Sequence, residues 1–202
     1  MTRGTATSKS MSYAIIQPPF TLKFREMSRK ELKDYFRWFM EVMPDRIREL
    51  TAAVHETPGF EPWPADKTPS SLEMLGEWFA GQVDVRARTQ EEIQEIKGRL
   101  SFPIEISGTE LTNKTFSLAM DVGMYLGQVF MQNHPTLLWH QEFGNKRYVD
   151  YGQPVLVPFT PAPFNPVRMM VTLAYGFADK SRTGRRLHEI YEIWSKKVQA
   201  ES

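Results

Sequence analysis

Residues 116–132 read FSLAMDVGMYLGQVFMQ, a stretch that is apolar on nearly every face of a helix. Such a helix has no polar side to turn toward water, so it belongs at the centre of a fold. The segment 112–133 therefore predicts a central helix with other elements packed around it. Gly123 and Gly127 stand one helical turn apart on one side of it, where a missing side chain lets another backbone approach closely. The same spacing serves membrane dimers only inside an unbroken apolar segment, and Asp121 and Gln128 interrupt this one. No run of about 18 apolar residues occurs, so no transmembrane helix is expected.

A chain of 202 residues is long enough to surround such a helix with one core. Its 41% apolar and 24% charged residues are ordinary for a globular protein. The 25 Lys and Arg nearly balance the 24 Asp and Glu, leaving a net charge of +1. No global positive field exists to recruit phosphate, so nucleic acid is an unfavoured partner. The chain has no cysteine, which excludes disulfides, thiolate zinc sites, iron–sulfur clusters and a cysteine nucleophile. A cysteine-free chain fits a reducing compartment, and a cytoplasmic location is the expectation. The opening MTRGTATSKS carries Arg3 and Lys9 with no apolar segment behind them, unlike a secretory signal. Residues 1–12 read as a disordered tail and 13–202 as a single α+β domain.

Local signals divide that domain. Residues 13–25 hold apolar pairs split by Pro18 and Pro19 and read as extended, with 20–25 a candidate edge strand. Ser28 with Glu31 is a capping box, followed by Leu32, Tyr35, Phe36, Phe39, Met40 and Met43 at helical spacing. Pro44 should kink or break that helix, and Asp45 to roughly Val54 continues helically through Ile47, Leu50 and Val54. Residues 56–70 contain four prolines and form a loop. Ser70 or Ser71 then caps a helix through Leu72, Leu75, Trp78 and Phe79. Thr89 with Glu92 opens a short charged helix to about Leu100, and 102–106 read as an extended connector. After Pro135, residues 137–143 and 147–151 read as a hairpin about Gly144 and Asn145, with 154–159 a third strand. Asn165 and Pro166 open the next helix, and a last helix carries Leu187, Ile190, Tyr191 and Trp194.

No familiar catalytic signature is present. The sequence lacks G-x-S-x-G, G-x-G-x-x-G and the phosphate-binding G-x-x-x-x-G-K-[ST], and it implies no cofactor. His55, His134, His140 and His188 show no metal-ligand spacing, and no metal is expected. Asp121 is the one acid in the apolar helix. It is a structural partner of an arginine such as Arg168, an exposed bystander, or a catalytic acid. Glu142 and Asp150 could face each other across the hairpin, and His140 lies in it. Asp121, His140 and Glu142 are thus the candidates if the chain is a small hydrolase or transferase.

Surface features point elsewhere. Phe60 and Trp63 sit between prolines, where an aromatic ring either tucks onto the core or anchors a partner. Trp139 is placed to stack on Tyr148 or Tyr151 across the hairpin. Residues 180–186 form a basic loop, with Arg182, Arg185 and Arg186 open to phosphate or an acidic protein.

The segment from Asp121 to Phe130, of the form D-x-G-x-x-L-G, precedes the hairpin and residues 154–157. Over roughly residues 112–178 this resembles uncharacterised bacterial α+β proteins, some of which look like immunity proteins of bacterial toxin systems. The resemblance implies an interaction role and carries no catalytic residue. The combined expectation is a mostly helical α+β fold with a three-stranded antiparallel sheet from 136–159 on a central buried helix. Its leading function is protein binding, of the inhibitor or immunity type and without catalysis, through Phe60, Trp63, Trp139, Arg147, Arg185 and Arg186. Oligomeric state stays open.

Overall fold

A computed structural model describes residues 13–99 and 105–198. In chain order the elements are α1 (Arg29–His55), α2 (Ser71–Gln82), β1 (Val85–Ala87), α3 (Gln90–Arg99), β2 (Thr109–Leu111), α4 (Asn113–Asn133), β3 (Leu138–Gln141), β4 (Pro154–Val157), α5 (Pro166–Ala178) and α6 (Arg186–Ser195). The fold is α+β and mostly helical. Among the described residues no helix is long and apolar enough to cross a membrane. The expected tail at 1–12 and most of the connector at 102–106 lie outside the described residues.

The centre is α4, as its all-round apolarity requires. Residues from Leu118 to Gly127 are buried without a gap. Thr112 starts the helix by accepting the Thr115 backbone N–H at 3.2 Å. α5 and α1 cover most of it, and α2 and α6 reach it from the side. Both central glycines admit a close neighbour. A Cβ on Gly123 would stand 2.7 Å from Val167 Cα at the start of α5, and a Cβ on Gly127 would collide with the Trp139 indole. Trp139 therefore turns inward and meets Phe39 edge-to-face at 5.1 Å rather than stacking across the hairpin, and Tyr151 meets Phe143 instead.

α1 opens with the expected capping box, Ser28 and Glu31 each accepting the other's backbone N–H. It does not break at Pro44 but runs on to His55. Pro44 and Met40 are exposed, so the carbonyl that loses its partner lies on the solvated side. Buried Met43 and Leu50 meanwhile hold both halves on the core. Tertiary packing overrides the local signal.

Among the described residues the expected three-stranded meander is corrected to two separate two-stranded sheets, β1–β2 and β3–β4. In the second, Leu138 pairs with Val157 and Gln141 with Pro154, which turns Trp139 and Gln141 inward. Residues 147–151 form turns rather than a strand. Asn145 Oδ1 accepts the Arg147 N–H at 2.8 Å, the Asx geometry that starts a turn. Gly152, at φ +69°, closes the segment by donating to the Glu142 carbonyl at 2.8 Å. The free side of β4 is used by Phe164, which exchanges backbone bonds of 2.7 and 3.0 Å with Leu156. Residues 20–25 join no sheet. Phe20 and Phe24 lie edge-on to Tyr35 at 5.5 and 5.0 Å and close one end of the core.

Candidate binding cleft

A cleft of about 680 Å³ lies between α2, α6 and the loop after α1. Gly76 on α2 meets Gly184 just before α6. A Cβ on Gly76 would overlap the Gly184 carbonyl, and a Cβ on Gly184 would lie 2.5 Å from Glu77 Cα. Two absent side chains thus let the start of α6 dock directly on α2. The buried faces of the helices, Leu72, Leu75 and Phe79 on one and Leu187, Ile190 and Tyr191 on the other, go to the core. Glu73, Met74 and Glu77 of α2, with His188, Glu189 and Glu192 of α6, are left lining the cleft.

The loop supplies the third wall. Trp63 is its anchor, with 2% of its surface exposed. Its indole N–H donates to the Ser71 carbonyl at 2.9 Å, and its ring lies 5.1 Å from that of Tyr125. The Trp63 N–H donates to the Phe60 carbonyl at 3.0 Å, which fixes Phe60 at the cleft wall. Trp78 ties α2 to the end of α1, its N–H donating to Thr57 Oγ1 at 2.8 Å.

The electrostatics are acidic. Glu189 is neutralised by Arg186 at 3.0 Å and Arg185 at 3.7 Å. Glu73, Glu77 and Glu192 have no cationic partner among the described residues. Three free carboxylates beside Phe60 and Met74 suit a cation with an apolar stem. The basic run before α6 is accordingly less available than its composition suggests. Arg185 and Arg186 share Glu189, and Arg182 Nη1 donates to the Ser181 carbonyl at 2.8 Å.

The residues singled out from sequence fall in four places. Phe60 and Arg185 line this cleft, and Arg186 is joined to it through Glu189. Trp63 and Trp139 are buried, so neither offers the partner-facing surface expected of it. Glu142 and Arg147 line a separate hollow of about 550 Å³ with Tyr148 and residues 161–163. His140 stands 3.5 Å from Glu142, both on the solvent side.

Asp121 lies apart, fully buried in α4. Its expected partner is corrected. Arg46 of α1 forks onto it, Nε to Oδ1 at 2.9 Å and Nη2 to Oδ2 at 2.7 Å. Tyr13 also donates to Oδ2, at 2.5 Å. Burial pushes the carboxyl upward against the opposing pull of Arg46. Burial, reinforced by Asp121, likewise raises the Tyr13 hydroxyl. Arg168 binds Asp150 instead, at 2.6 and 2.9 Å, with Asn165 completing that carboxylate at 2.8 Å. Asp150 therefore does not face Glu142. Asp121 contacts neither His140 nor Glu142 among the described residues, so the three candidates for hydrolase or transferase chemistry are not assembled into one site.

Glu73, Met74, Glu77 and Glu192 escaped the sequence reading. The signal was present in part, since Glu73 and Glu77 lie at i and i+4, as do His188 and Glu192. Only the Gly76–Gly184 contact brings the two pairs together. Among the described residues no group of His, Asp and Glu is arranged to hold a metal ion. Comparison of the chain with known protein families, with curated proteins and with solved structures finds no match in any of the three.

Proposed function

We propose that this chain is a non-catalytic binding protein, of the inhibitor or immunity type, that takes a basic, partly apolar segment of a partner protein into the α2–α6 cleft. The observation that carries the reading is the presence of three unpaired glutamates, Glu73, Glu77 and Glu192, around a cleft walled by Phe60 and Met74. A cleft lined by one sign of charge concentrates its field and draws in the opposite charge. A lysine or arginine stem lies along Phe60 and Met74 while its head meets the carboxylates. Arginine is the better fit, because its fork matches carboxylates and its face stacks on Phe60. The cleft volume is within the range of sites that enclose a few side chains.

The test is a titration of the full chain with short capped peptides that pair arginine or lysine with leucine or phenylalanine. Matched peptides carrying glutamate serve as controls. The reading expects shifts of NMR signals from α2, α6 and Phe60 with the basic peptides alone, weakened by added salt. Equal response to acidic peptides, or shifts confined to the hollow at Arg147 and Tyr148, would overturn it.

A further inference from the structure

The loop between β3 and β4 carries the opposite charge imbalance to the cleft. Residues 144–147 are exposed in succession, and Val149 just after them keeps 51% of its surface in solvent. Lys146 and Arg147 stand in this exposed run. Arg25 and Arg29 come against it from the start of α1. Arg25 Nη2 donates to the Arg147 carbonyl at 3.3 Å. Arg29 Nη2 donates to the Phe143 carbonyl at 3.4 Å, with its guanidinium over the Phe143 ring. None of these four cations has a carboxylate partner among the described residues. The acids flanking the loop are engaged elsewhere, Glu142 at 3.5 Å from His140 and Asp150 on Arg168.

This loop has the composition that the cleft calls for. Arg147 supplies a fork-shaped cation, and Val149 with the half-buried Tyr148 supplies apolar surface beside it. The cleft offers the complement, three unpaired glutamates with Phe60 and Met74. The loop is also fixed in shape before it docks. Asn145 Oδ1 accepts the Arg147 N–H at 2.8 Å, and the Asn145 carbonyl accepts the Tyr148 N–H at 2.9 Å. Little ordering cost is then left for docking. The hollow beside the loop shares no lining residue with the cleft, so the loop does not fill the cleft of its own copy.

We propose that the cleft takes the 144–149 loop of a second copy of this chain, with Arg147 entering among Glu73, Glu77 and Glu192. The proposal rests on the reading of the cleft as a site for basic, partly apolar segments. Donor loop and acceptor cleft are different surfaces, so the contact is head-to-tail. A copy that gives its loop still has its cleft free, and association continues past the dimer as concentration rises. A single loop falls far short of the roughly 20–30 residues a side of a stable interface, so assembly is reversible and sensitive to salt.

Sedimentation velocity at low salt, on the full chain over a rising concentration series, tests the proposal. The wild type should pass from monomer to species larger than a dimer in the upper micromolar range. A loop variant, Lys146→Glu with Arg147→Glu, should self-associate at least about tenfold more weakly. So should a cleft variant, Glu73→Gln with Glu77→Gln and Glu192→Gln. All five side chains are exposed, so circular dichroism should stay native in both. An equimolar mixture of the two variants should form a one-to-one dimer and nothing larger, since one keeps its loop and the other its cleft. A wild type monomeric at every concentration, undiminished association in either variant, or a mixture that stays monomeric would overturn the proposal. Titration of the loop variant with the basic peptide separates the two readings. Peptide binding without self-association of the wild type overturns this proposal alone, whereas absence of both overturns the cleft reading as well.

Discussion

Acidic residues occupy two opposite settings in this molecule. Asp121 is sealed in α4, held by an arginine fork and a tyrosine hydroxyl. Glu73, Glu77 and Glu192 line a cleft and have no ion-pair partner among the described residues, its one arginine being turned to Glu189. The buried acid looks the more conspicuous in the sequence, because it interrupts an apolar run. Its partners come from within the chain, so its charge is already answered. The glutamates look ordinary on amphipathic helices, yet their charge is left for something else to answer. Function is better sought where charge is unanswered than where it is merely buried.

The comparison can be broken most severely at Arg46. Arg46→Met strands a buried carboxylate and should cost about 3–5 kcal/mol, read by urea unfolding. The double variant Arg46→Met with Asp121→Leu should recover much of that loss, because the demand for a partner disappears as well. Gly76→Ala comes next. Its methyl group drives α2 away from Gly184 and should lose about 1–3 kcal/mol. It should also reduce basic-peptide binding, which ties cleft shape to helix docking. Glu73→Gln and Glu77→Gln sharpen the contrast from the other side. Each should move stability by no more than about 0.5 kcal/mol, since neither has a partner to lose. Each should nonetheless weaken basic-peptide binding measured by fluorescence anisotropy.

The smallest effect concerns His134 at the end of α4. Burial holds its ring below the ordinary histidine value of 6.5, favouring the neutral form. Its folded pKa is the lower one, so the unfolded chain binds the proton more readily. The stability this ring contributes is present above about pH 6.5 and is lost as pH falls through the folded value. Thermal melts from neutral to mildly acidic pH should drop more steeply for the wild type than for His134→Gln.

The sequence disclosed what local chemistry decides. The all-round apolarity of 112–133 identified the central helix, and Gly123 and Gly127 do admit close neighbours. The caps at Ser28, Thr89 and Asn165 were legible because each side chain bonds a backbone N–H within its own first turn. Features decided at a distance were not legible. The strand expected at 147–151 yields to an Asx turn at Asn145 and to the pull of Arg168 on Asp150. β1 and β2 are three residues each, too short for a period to show. The pairing of Arg46 with Asp121 has no local signal, because the two lie far apart in sequence. The cleft was legible at Phe60 and Arg185, which are conspicuous in composition. Its glutamates depend on one contact between Gly76 and Gly184, and residue type alone does not reveal that.

The most direct test is calorimetric titration of an arginine- and leucine-containing peptide into the wild type and into the triple variant Glu73→Gln, Glu77→Gln, Glu192→Gln. The account predicts measurable, salt-sensitive binding to the wild type and at least about tenfold weaker binding to the triple variant, with thermal midpoints nearly equal. Equal affinity in the two proteins would contradict the claim that unanswered charge at this cleft is what recognises a partner.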